Sequence, residues 1–294
     1  MKFNGTTNTY GIIGWPVKHS LSPVFQSRFL QQKNINAVYL PFAVAPELLK
    51  QAMDGLWALG VQGFNVTVPH KENVFQMVEA DADARLIGAV NTVRRSEKGW
   101  QATNTDWQGF RAVINGLDIQ MAGKMALIFG AGGTSRAVLH ALAGLNLTKV
   151  IICNRNPERL AGLIESAKVS YPDLRCEPLV WQQDAVSEAC ADAALLINTT
   201  SIGLQTGEEY PFVLSGDGAA IDAVYRPDGK TAFVESAARA GRKTADGLPM
   251  LIAQGAAAFA WWHACEQPDC SHALSRMQAE LGREAVALPG WKAL

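Results

Sequence analysis

A glycine-rich turn between a strand and a helix constrains the fold of this chain more than any other feature. Residues 124–129 form a mostly apolar run, and Gly130-Ala131-Gly132-Gly133 follows at once. An amphipathic stretch then extends to about Ala143, and Gly144 is well placed to end a helix as its C′ residue. Glycines in such a turn let backbone N–H groups approach a pyrophosphate at the helix N-terminus. The pattern therefore predicts a nucleotide-binding unit, although Ser135 occupies the place of the usual third glycine.

Strand-like and helix-like segments alternate on both sides of the turn. Strands are predicted at 10–14, 38–44, 63–68, 89–94, 100–104, 149–153, 194–198 and 219–224. Helices are predicted at 22–30, 46–59, 157–168 and from 249 to about 265. Because strands that alternate with helices form mostly parallel sheets, we expect an α/β protein of two domains. The sequence predicts a doubly wound, Rossmann-type domain over 107–245 and a mostly parallel α/β domain over 1–106, completed by C-terminal helices in 246–294.

The second strand of the nucleotide-binding unit ends in Asn154-Arg155. An acidic residue at this place would bind the ribose 2′-OH of NAD, whereas a guanidinium can hold a 2′-phosphate through two parallel hydrogen bonds. Because no acidic residue is present, Arg155 predicts NADP as the cofactor, with NAD as the alternative. Arg159, one helical turn further on, can assist.

Polar residues interrupt the apolar segments of the first domain near strand ends, where α/β proteins place their sites. They are Asn65, Thr67, Lys71, Asn91 and Asp106. Hydride transfer to or from a carbinol carbon requires a proton to move as well, and a Lys can move it while an Asp orients the Lys or shares the proton. Lys71 and Asp106 are therefore the candidate catalytic residues, and the sequence leaves open which of them carries the proton.

Two serine hydroxyls lie at the N-terminus of the first predicted helix. Ser22-Pro23 is typical of an N-cap followed by Pro at the first helical position, and Ser20 lies two residues earlier. Hydroxyls at a helix N-terminus can bind a carboxylate without an arginine. Ser20 and Ser22 are therefore candidate ligands of an anionic small molecule.

The composition excludes several classes of partner. Lys and Arg number 26 and Asp and Glu 27, a formal net charge of -1, which gives no electrostatic footprint for nucleic acid or an anionic membrane. The N-terminus has no apolar signal region, and an odd count of 5 cysteines argues against a disulfide framework, so we expect a cytoplasmic protein. His263, Cys265, Cys270 and His272 are zinc ligands by type, but their spacing fits no standard zinc module, so we expect no metal. A monomer and a homodimer are both compatible with the sequence.

Together these motifs resemble the shikimate dehydrogenase family, in its NADP-linked branch. The matches run in order over nearly the whole chain, at residues 20–23, 65–71, 88–92, 104–106, 130–133, 154–155, 198–203, 222–225 and 246–254. The resemblance implies reversible, NADP-dependent reduction of 3-dehydroshikimate to shikimate in aromatic amino-acid biosynthesis.

The resemblance also implies a role for each candidate residue. The catalytic pair would be Lys71 and Asp106. The small-molecule substrate would be bound by Ser20, Ser22 and Tyr225 near its carboxylate and by Thr67, Lys71, Asn91, Asp106 and Gln254 around its ring. The cofactor would be bound by Gly130, Ala131, Gly132 and Gly133 at the pyrophosphate, by Asn154, Arg155 and Arg159 at the 2′-phosphate, and by Gly247 and Met250 on the nicotinamide side, with Thr199 and Ala223 as further cofactor-binding residues.

Two departures from the family pattern keep alternatives open. Asn156 stands where the NADP-linked branch often has Thr, and Tyr39 stands where a hydroxyl could reach the carboxylate, as in some relatives that accept quinate. A quinate/shikimate or aminoshikimate dehydrogenase with relaxed cofactor use is therefore one alternative. A non-catalytic sensor of a shikimate-type ligand is the alternative from another class.

Overall fold

The computed structural model describes residues 4–205, 207–226 and 231–283, and the chain forms two compact units. The first unit consists of residues 1–105 and 254–270, and the second consists of residues 106–253 and 271–294. Each unit contains its own six-stranded sheet together with helices. The predicted two-domain α/β class is confirmed.

The first unit begins with a strand, a helix and a second strand that pairs in parallel with the first. Its elements are β1 (Asn8–Gly14), α1 (Ser22–Gln32), β2 (Ala37–Ala43), a 3-10 turn (Pro46–Leu48), α2 (Leu49–Ala58), β3 (Gly63–Val66), α3 (Lys71–Phe75), β4 (Glu79–Ala80), α4 (Ala82–Ile87), β5 (Thr92–Ser96) and β6 (Gly99–Thr103).

The sheet of the first unit has the order β2-β1-β3-β5-β6-β4. It is parallel except at β5, which runs antiparallel to both of its neighbours because a tight turn at Glu97 and Lys98 joins it to β6. The strands predicted at 89–94 and 100–104 form this hairpin, but β5 begins later than predicted. Asn91 lies just before it and still bonds to the neighbouring segments, since its N–H donates to the Thr103 carbonyl (3.2 Å) and its carbonyl accepts from the Val66 N–H (2.8 Å).

The second unit alternates strands and helices throughout. Its elements are α5 (Asp106–Gly116), β7 (Met125–Phe129), α6 (Gly133–Leu142), β8 (Lys149–Cys153), α7 (Pro157–Ser170), β9 (Cys176–Leu179), α8 (Gln183–Asp192), β10 (Leu195–Asn198), β11 (Ala219–Asp222), α9 (Ala232–Arg239), β12 (Lys243–Ala245), the first turns of α10 (Gly247–His263) and most of α11 (Cys270–Glu280).

The sheet of the second unit is parallel in every described pairing and has the order β12-β11-β10-β7-β8-β9. Counted from β7, this is the strand order of a Rossmann fold, with the reversal between β7 and β10. The strands read as continuous apolar runs because both faces of the sheet are buried. Ala126 and Ile128 of β7 point into one core, and Leu127 and Phe129 point into the other.

Helix α10 is apolar over most of its length, and its residues from Gln254 onward belong to the first unit. Its Phe259 ring packs on Phe29 of α1, with 5.6 Å between ring centroids. Trp262 donates a hydrogen bond from Nε1 to the Val93 carbonyl (2.9 Å). The last predicted helix therefore packs on the first unit from Gln254 onward. In the ranges that the structure describes, no helix has the length and apolarity needed to cross a bilayer.

Candidate active site

A buried amide network forms the centre of the polar residues in the first unit. The Oδ1 of Asn91 accepts hydrogen bonds from the Thr105 N–H (2.7 Å) and from the Thr92 hydroxyl (2.9 Å). Its Nδ2 donates to Thr105 Oγ1 (3.0 Å) and to Gln254 Oε1 (3.1 Å). All four residues are more than nine-tenths buried. Asn91 thus joins β5, the residue after Asn104 and helix α10 in one network.

The orientation of both amides follows from a single backbone donor. Because the Thr105 N–H can only donate, the Asn91 atom facing it must be the carbonyl oxygen. The Asn91 NH₂ group is then the donor toward Gln254, so Gln254 must present its own carbonyl oxygen to Asn91. The network therefore fixes the Gln254 side chain so that its carbonyl oxygen faces Asn91 and its NH₂ group faces away from Asn91.

Asn65 extends the network toward β2. Its Oδ1 accepts the Tyr39 hydroxyl proton (2.7 Å), and its Nδ2 donates to the Asn91 carbonyl and to Thr92 Oγ1, both at 3.1 Å. Tyr39 is only 4% exposed. The Tyr39 hydroxyl, which suggested quinate as an alternative substrate, therefore holds Asn65 in place through a hydrogen bond. The sequence had identified Asn65 only as a polar residue near a strand end.

One of the two serines at the start of α1 occupies a different helical position from the one predicted. Ser22 is the first residue of α1 rather than its N-cap, Leu21 holds the N-cap position, and no side chain caps the helix there. Instead, the Ser22 N–H donates to Ser20 Oγ (3.3 Å). The prediction of Ser22 as the N-cap is wrong because the helix begins one residue earlier than predicted, with Leu21 at the N-cap position. Ser22 is 2% exposed, while Ser20 is half-buried.

Lys71 and Thr67 lie on the segment that follows β3. Lys71 is the first residue of α3 and is half-buried, and its carbonyl accepts from the Val90 N–H (3.1 Å). Its backbone is therefore tied to the residue next to Asn91. Thr67 is half-buried, and a Cβ on Gly14 would lie 2.4 Å from its Cγ2, so a side chain at this position of β1 would displace the Thr67 side chain.

Asp106 is the first residue of α5, in the second unit, and is 5% exposed. It directly follows Thr105, whose N–H bonds to Asn91. A carboxylate in the first turn of a helix is stabilised by the unpaired N–H groups and the positive end of the helix dipole.

The glycine turn after β7 is held by two hydroxyls. Gly130 has φ +115°, and a Cβ there would lie 2.4 Å from Thr199 Oγ1. The Thr199 hydroxyl donates to the Phe129 carbonyl (2.7 Å), so it accepts from the Ser135 hydroxyl (2.7 Å), and Ser135 Oγ in turn accepts from the Gly132 N–H (3.1 Å). This chain of hydrogen bonds explains why Ser135 stands where a third glycine is usual.

Beyond β8 the chain presents two exposed guanidinium groups, on Arg155 and Arg159. Asn156 is the N-cap of α7 and accepts from the Arg159 N–H (2.8 Å), while Asn154 donates to the Asn156 carbonyl (2.9 Å). Asn156, which the sequence flagged as a departure, therefore shapes the turn that carries Arg155. Arg155 also lies over the ring of Trp181, a residue that sequence reasoning missed, with 5.9 Å from Cζ to the ring centroid.

A buried carboxyl organises the loop after β11, where Ala223 and Tyr225 lie. Asp222 is fully buried and accepts from Asn198 Nδ2 (2.8 Å), the Val224 N–H (2.9 Å) and the Thr231 hydroxyl (2.5 Å). Burial raises the pKa of the Asp222 carboxyl to about 7, against the opposing effect of these hydrogen bonds and with a contribution from the negative charge of Asp246. Sequence reasoning quoted this aspartate in a motif but gave it no role.

The turn at the start of α10 is close-packed on the same loop. A Cβ on Gly247 would lie 2.3 Å from the Ala223 carbonyl oxygen, so glycine is required there. Asp246 accepts from the Leu248 N–H (3.2 Å) and forms an ion pair with Arg283 (2.5 Å). Burial raises the pKa of Asp246, and Arg283 opposes that shift. Met250 is buried in the core between α5, α6 and the sheet.

The described residues contain no cluster of three or more side chains able to hold a metal ion. His263, which the sequence offered as a zinc ligand by type, packs its ring on Phe259 and Tyr10, with centroid distances of 4.5 and 5.0 Å.

The Rossmann strand order, the glycine turn after its first strand and the exposed Arg155 after its second define a dinucleotide-linked α/β protein. Two family models match the chain, the shikimate dehydrogenase substrate binding domain over residues 12–93 and shikimate/quinate 5-dehydrogenase over residues 114–203. The shikimate dehydrogenase (NADP(+)) of Aquifex aeolicus is 38% identical over 269 residues, covering 90% of this chain and 94% of that protein. The chain belongs to the shikimate dehydrogenase family.

Solved structures of relatives support this family assignment. A crystal structure of the Aquifex aeolicus shikimate dehydrogenase matches with a TM-score of 0.82 at 38% identity, covering 94% of this chain and 99% of that chain. The shikimate 5-dehydrogenase of Thermus thermophilus in complex with NADP(H) and shikimate matches with a TM-score of 0.79 at 33% identity, covering 93% and 99%.

Proposed function

We propose that this protein catalyses the NADP-dependent, reversible reduction of 3-dehydroshikimate to shikimate in aromatic amino-acid biosynthesis. The observation that carries the proposal is the similarity, over nearly the whole chain, to relatives named shikimate dehydrogenase (NADP(+)). Lys71 and Asp106 are both present, which disfavours a non-catalytic sensor. We assign substrate binding to the domain predicted over 1–106 and 246–294, and cofactor binding to the domain predicted over 107–245.

The amide network supports recognition of a polyol. A ring hydroxyl both donates and accepts hydrogen bonds, so its partners must have fixed polarity. Because Asn91 holds the Gln254 carbonyl oxygen, we assign the Gln254 NH₂ group to a ring hydroxyl oxygen. The Asn91 Oδ1 and both of its amide hydrogens already have protein partners, so Asn91 acts chiefly by orienting Gln254 and Thr105.

The remaining substrate ligands are assigned by their position and chemistry. Ser20 and Ser22, at the N-terminal end of α1, bind the carboxylate, together with Tyr225. Thr67 binds a ring hydroxyl through its own hydroxyl group.

Lys71 and Asp106 serve the proton transfer. Reduction of a ketone adds a hydride to carbon and a proton to oxygen, and the reverse reaction removes both. An ammonium group has three N–H donors and can give up a proton, whereas a carboxylate only accepts hydrogen bonds. We therefore assign the proton to the Lys71 ammonium group and assign Asp106 to orient the lysine and the reacting hydroxyl.

The second unit fits a dinucleotide that carries a 2′-phosphate. Space is open on the Cβ side of Gly132, where a side chain would obstruct a pyrophosphate, and Arg155 and Arg159 are exposed with Asn154 beside them. NADPH, when bound, supplies the hydride. The chain's own contribution is to hold the pyrophosphate at Gly130, Ala131, Gly132 and Gly133 and the nicotinamide end near Thr199, Ala223, Gly247 and Met250.

The decisive experiment is an absorbance assay at the NADPH band with 3-dehydroshikimate, run in reverse with shikimate and NADP⁺. We expect oxidation of NADPH that depends on 3-dehydroshikimate, with kcat/KM higher for shikimate than for quinate and higher with NADP⁺ than with NAD⁺. A protein that binds shikimate but leaves NADPH unchanged would be a sensor. Higher kcat/KM with quinate or with NAD⁺ would establish the alternative dehydrogenase.

A further inference from the structure

We infer that Trp181 is a positioning residue that sets the preference for a 2′-phosphate by holding the Arg155 guanidinium. The inference rests on the proposed function, in which Arg155 binds that phosphate. Trp181 belongs to none of the motifs shared with the family, and sequence reasoning gave it no role.

The strand register brings the two residues together. Strands β8 and β9 are parallel neighbours, and Cys153 pairs with Leu179. Arg155 lies two residues after Cys153, and Trp181 lies two residues after Leu179. A hydrogen bond from Cys153 Sγ to the Val180 carbonyl (3.6 Å) ties the end of β8 to the residue before Trp181. The contact is therefore built into the pairing of the sheet.

The Trp181 ring is held in place by aromatic residues that pack against it. Its centroid lies 4.6 Å from that of Phe212 in an edge-to-face arrangement, and Phe212 stacks on Phe129 at 5.8 Å. Phe129 is the last residue of β7, directly before the glycine turn. Trp181 thus offers Arg155 a half-buried surface that is anchored to the strand leading into the cofactor site.

Arg155 needs such a surface because it is exposed and, within the described part of the chain, no carboxylate forms an ion pair with it. A free arginine samples many rotamers, and ordering it on binding reduces affinity. An aromatic face attracts the guanidinium and leaves its edge N–H groups available for two hydrogen bonds to a phosphate. A carboxylate in the same place would compete with the phosphate for those N–H groups.

The test compares two small ligands that differ in the 2′-phosphate. Calorimetry gives Kd for adenosine 2′,5′-bisphosphate and for adenosine 5′-monophosphate with wild type, Trp181→Leu and Trp181→Phe. We expect Trp181→Leu to weaken the bisphosphate roughly two- to five-fold, the range of an exposed cation–π contact. Trp181→Phe should recover most of that affinity, and the monophosphate should bind all three proteins alike. The selectivity of KM for NADP⁺ over NAD⁺ should fall by the same factor, with kcat unchanged.

Two controls distinguish a positioning role of Trp181 from a general loss of structure caused by removing a large aromatic ring. Trp57→Leu removes an equivalent ring, which lies 3.8 Å from Arg95 Cζ in the first unit, and should leave both Kd values unchanged. In an Arg155→Ala background, Trp181→Leu should have no further effect on the bisphosphate. If Trp181→Leu does not fold, Trp181→Met, which retains apolar packing on Phe212, takes its place.

Two outcomes would overturn the inference while leaving the proposed function intact. Equal weakening of both ligands would mean that Trp181 contacts the adenosine, and unchanged affinity for the bisphosphate would mean that Arg155 is positioned without it. If the wild-type protein itself shows no preference for the 2′-phosphate, the cofactor assignment fails and the inference fails with it. Selective binding in a protein without dehydrogenase activity would refute only the proposed reaction.

Discussion

The side-chain amides of Asn91 and Gln254 meet at 3.1 Å although 163 positions separate them in the sequence. The contact places a residue of helix α10 among the polar groups of the first unit. Because the Thr105 N–H dictates which way Asn91 points, the orientation of Gln254 is decided by a backbone atom next to Asp106. One buried network thus connects a proposed substrate ligand with the segment that carries a proposed catalytic residue.

Replacing Asn91 should affect both stability and substrate affinity. Asn91→Ala leaves the buried Thr105 N–H without its acceptor and Gln254 Oε1 without the Asn91 donor. Leaving such buried groups unpaired costs about 1–3 kcal/mol. We expect urea denaturation to show a loss of that size, and steady-state kinetics to show a higher KM for shikimate. Asn36→Ala, which removes an exposed amide bonded to Thr7, is the matched control and should lose much less stability and leave KM unchanged.

Replacing Lys71 tests the assignment of the proton. Positioned acid–base catalysis contributes roughly a hundred- to ten-thousand-fold to the rate. We expect Lys71→Ala to lose kcat within that range, while the Kd for shikimate, measured by calorimetry, rises far less. Lys98→Ala, at the exposed turn between β5 and β6, should retain wild-type kcat. Wild-type turnover in Lys71→Ala would remove Lys71 from the mechanism.

The parts of the fold that the sequence predicts correctly have local causes. The apolar strand β7, the glycine turn and helix α6 follow from consecutive residues, and Gly144 lies just after the helix with φ +78°, as expected of a C′ glycine. The turn at Glu97 and Lys98 is likewise a property of a few neighbouring residues. Such local sequence patterns predict the folded structure correctly because the elements they specify depend little on the residues that pack around them.

Contacts between distant residues could not be predicted in this way. Arg242 is 4% exposed and donates to the carbonyls of Cys190, Ala193 and Ser215, yet it belongs to none of the motifs identified in the sequence. Nor does the sequence reveal that Tyr39 supports Asn65 or that Trp181 faces Arg155. Each of these contacts depends on strand register or on packing between elements, which a linear pattern does not encode.

The glycine turn offers a sharp test of backbone geometry. Gly130→Ala introduces a residue at φ +115° and places its Cβ 2.4 Å from Thr199 Oγ1, which would break the hydroxyl chain to Ser135. Gly60→Ala is the matched control, since Gly60 also has positive φ (+74°) but its Cβ would contact nothing within 4 Å. The control should lose only about 1–2 kcal/mol from the left-handed conformation. Gly130→Ala should lose more in urea denaturation and, in calorimetry, should also lose affinity for NADP⁺; equal losses in both variants would contradict this account.

The buried carboxyl of Asp222 should make stability depend on pH. Its pKa is about 7 in the folded protein against an ordinary value of 3.8, so between these values the folded state keeps a proton that the unfolded chain has released. Unfolding then releases a proton, and the free energy of unfolding falls as pH rises through this interval, by up to about 1.4 kcal/mol per pH unit. We expect urea denaturation across the interval to show a shallower fall for Asp222→Asn than for wild type. Asp54→Asn, whose carboxylate is 70% exposed, should retain the wild-type slope; equal slopes in wild type and Asp222→Asn would show that the Asp222 carboxyl is charged in the folded protein throughout this range.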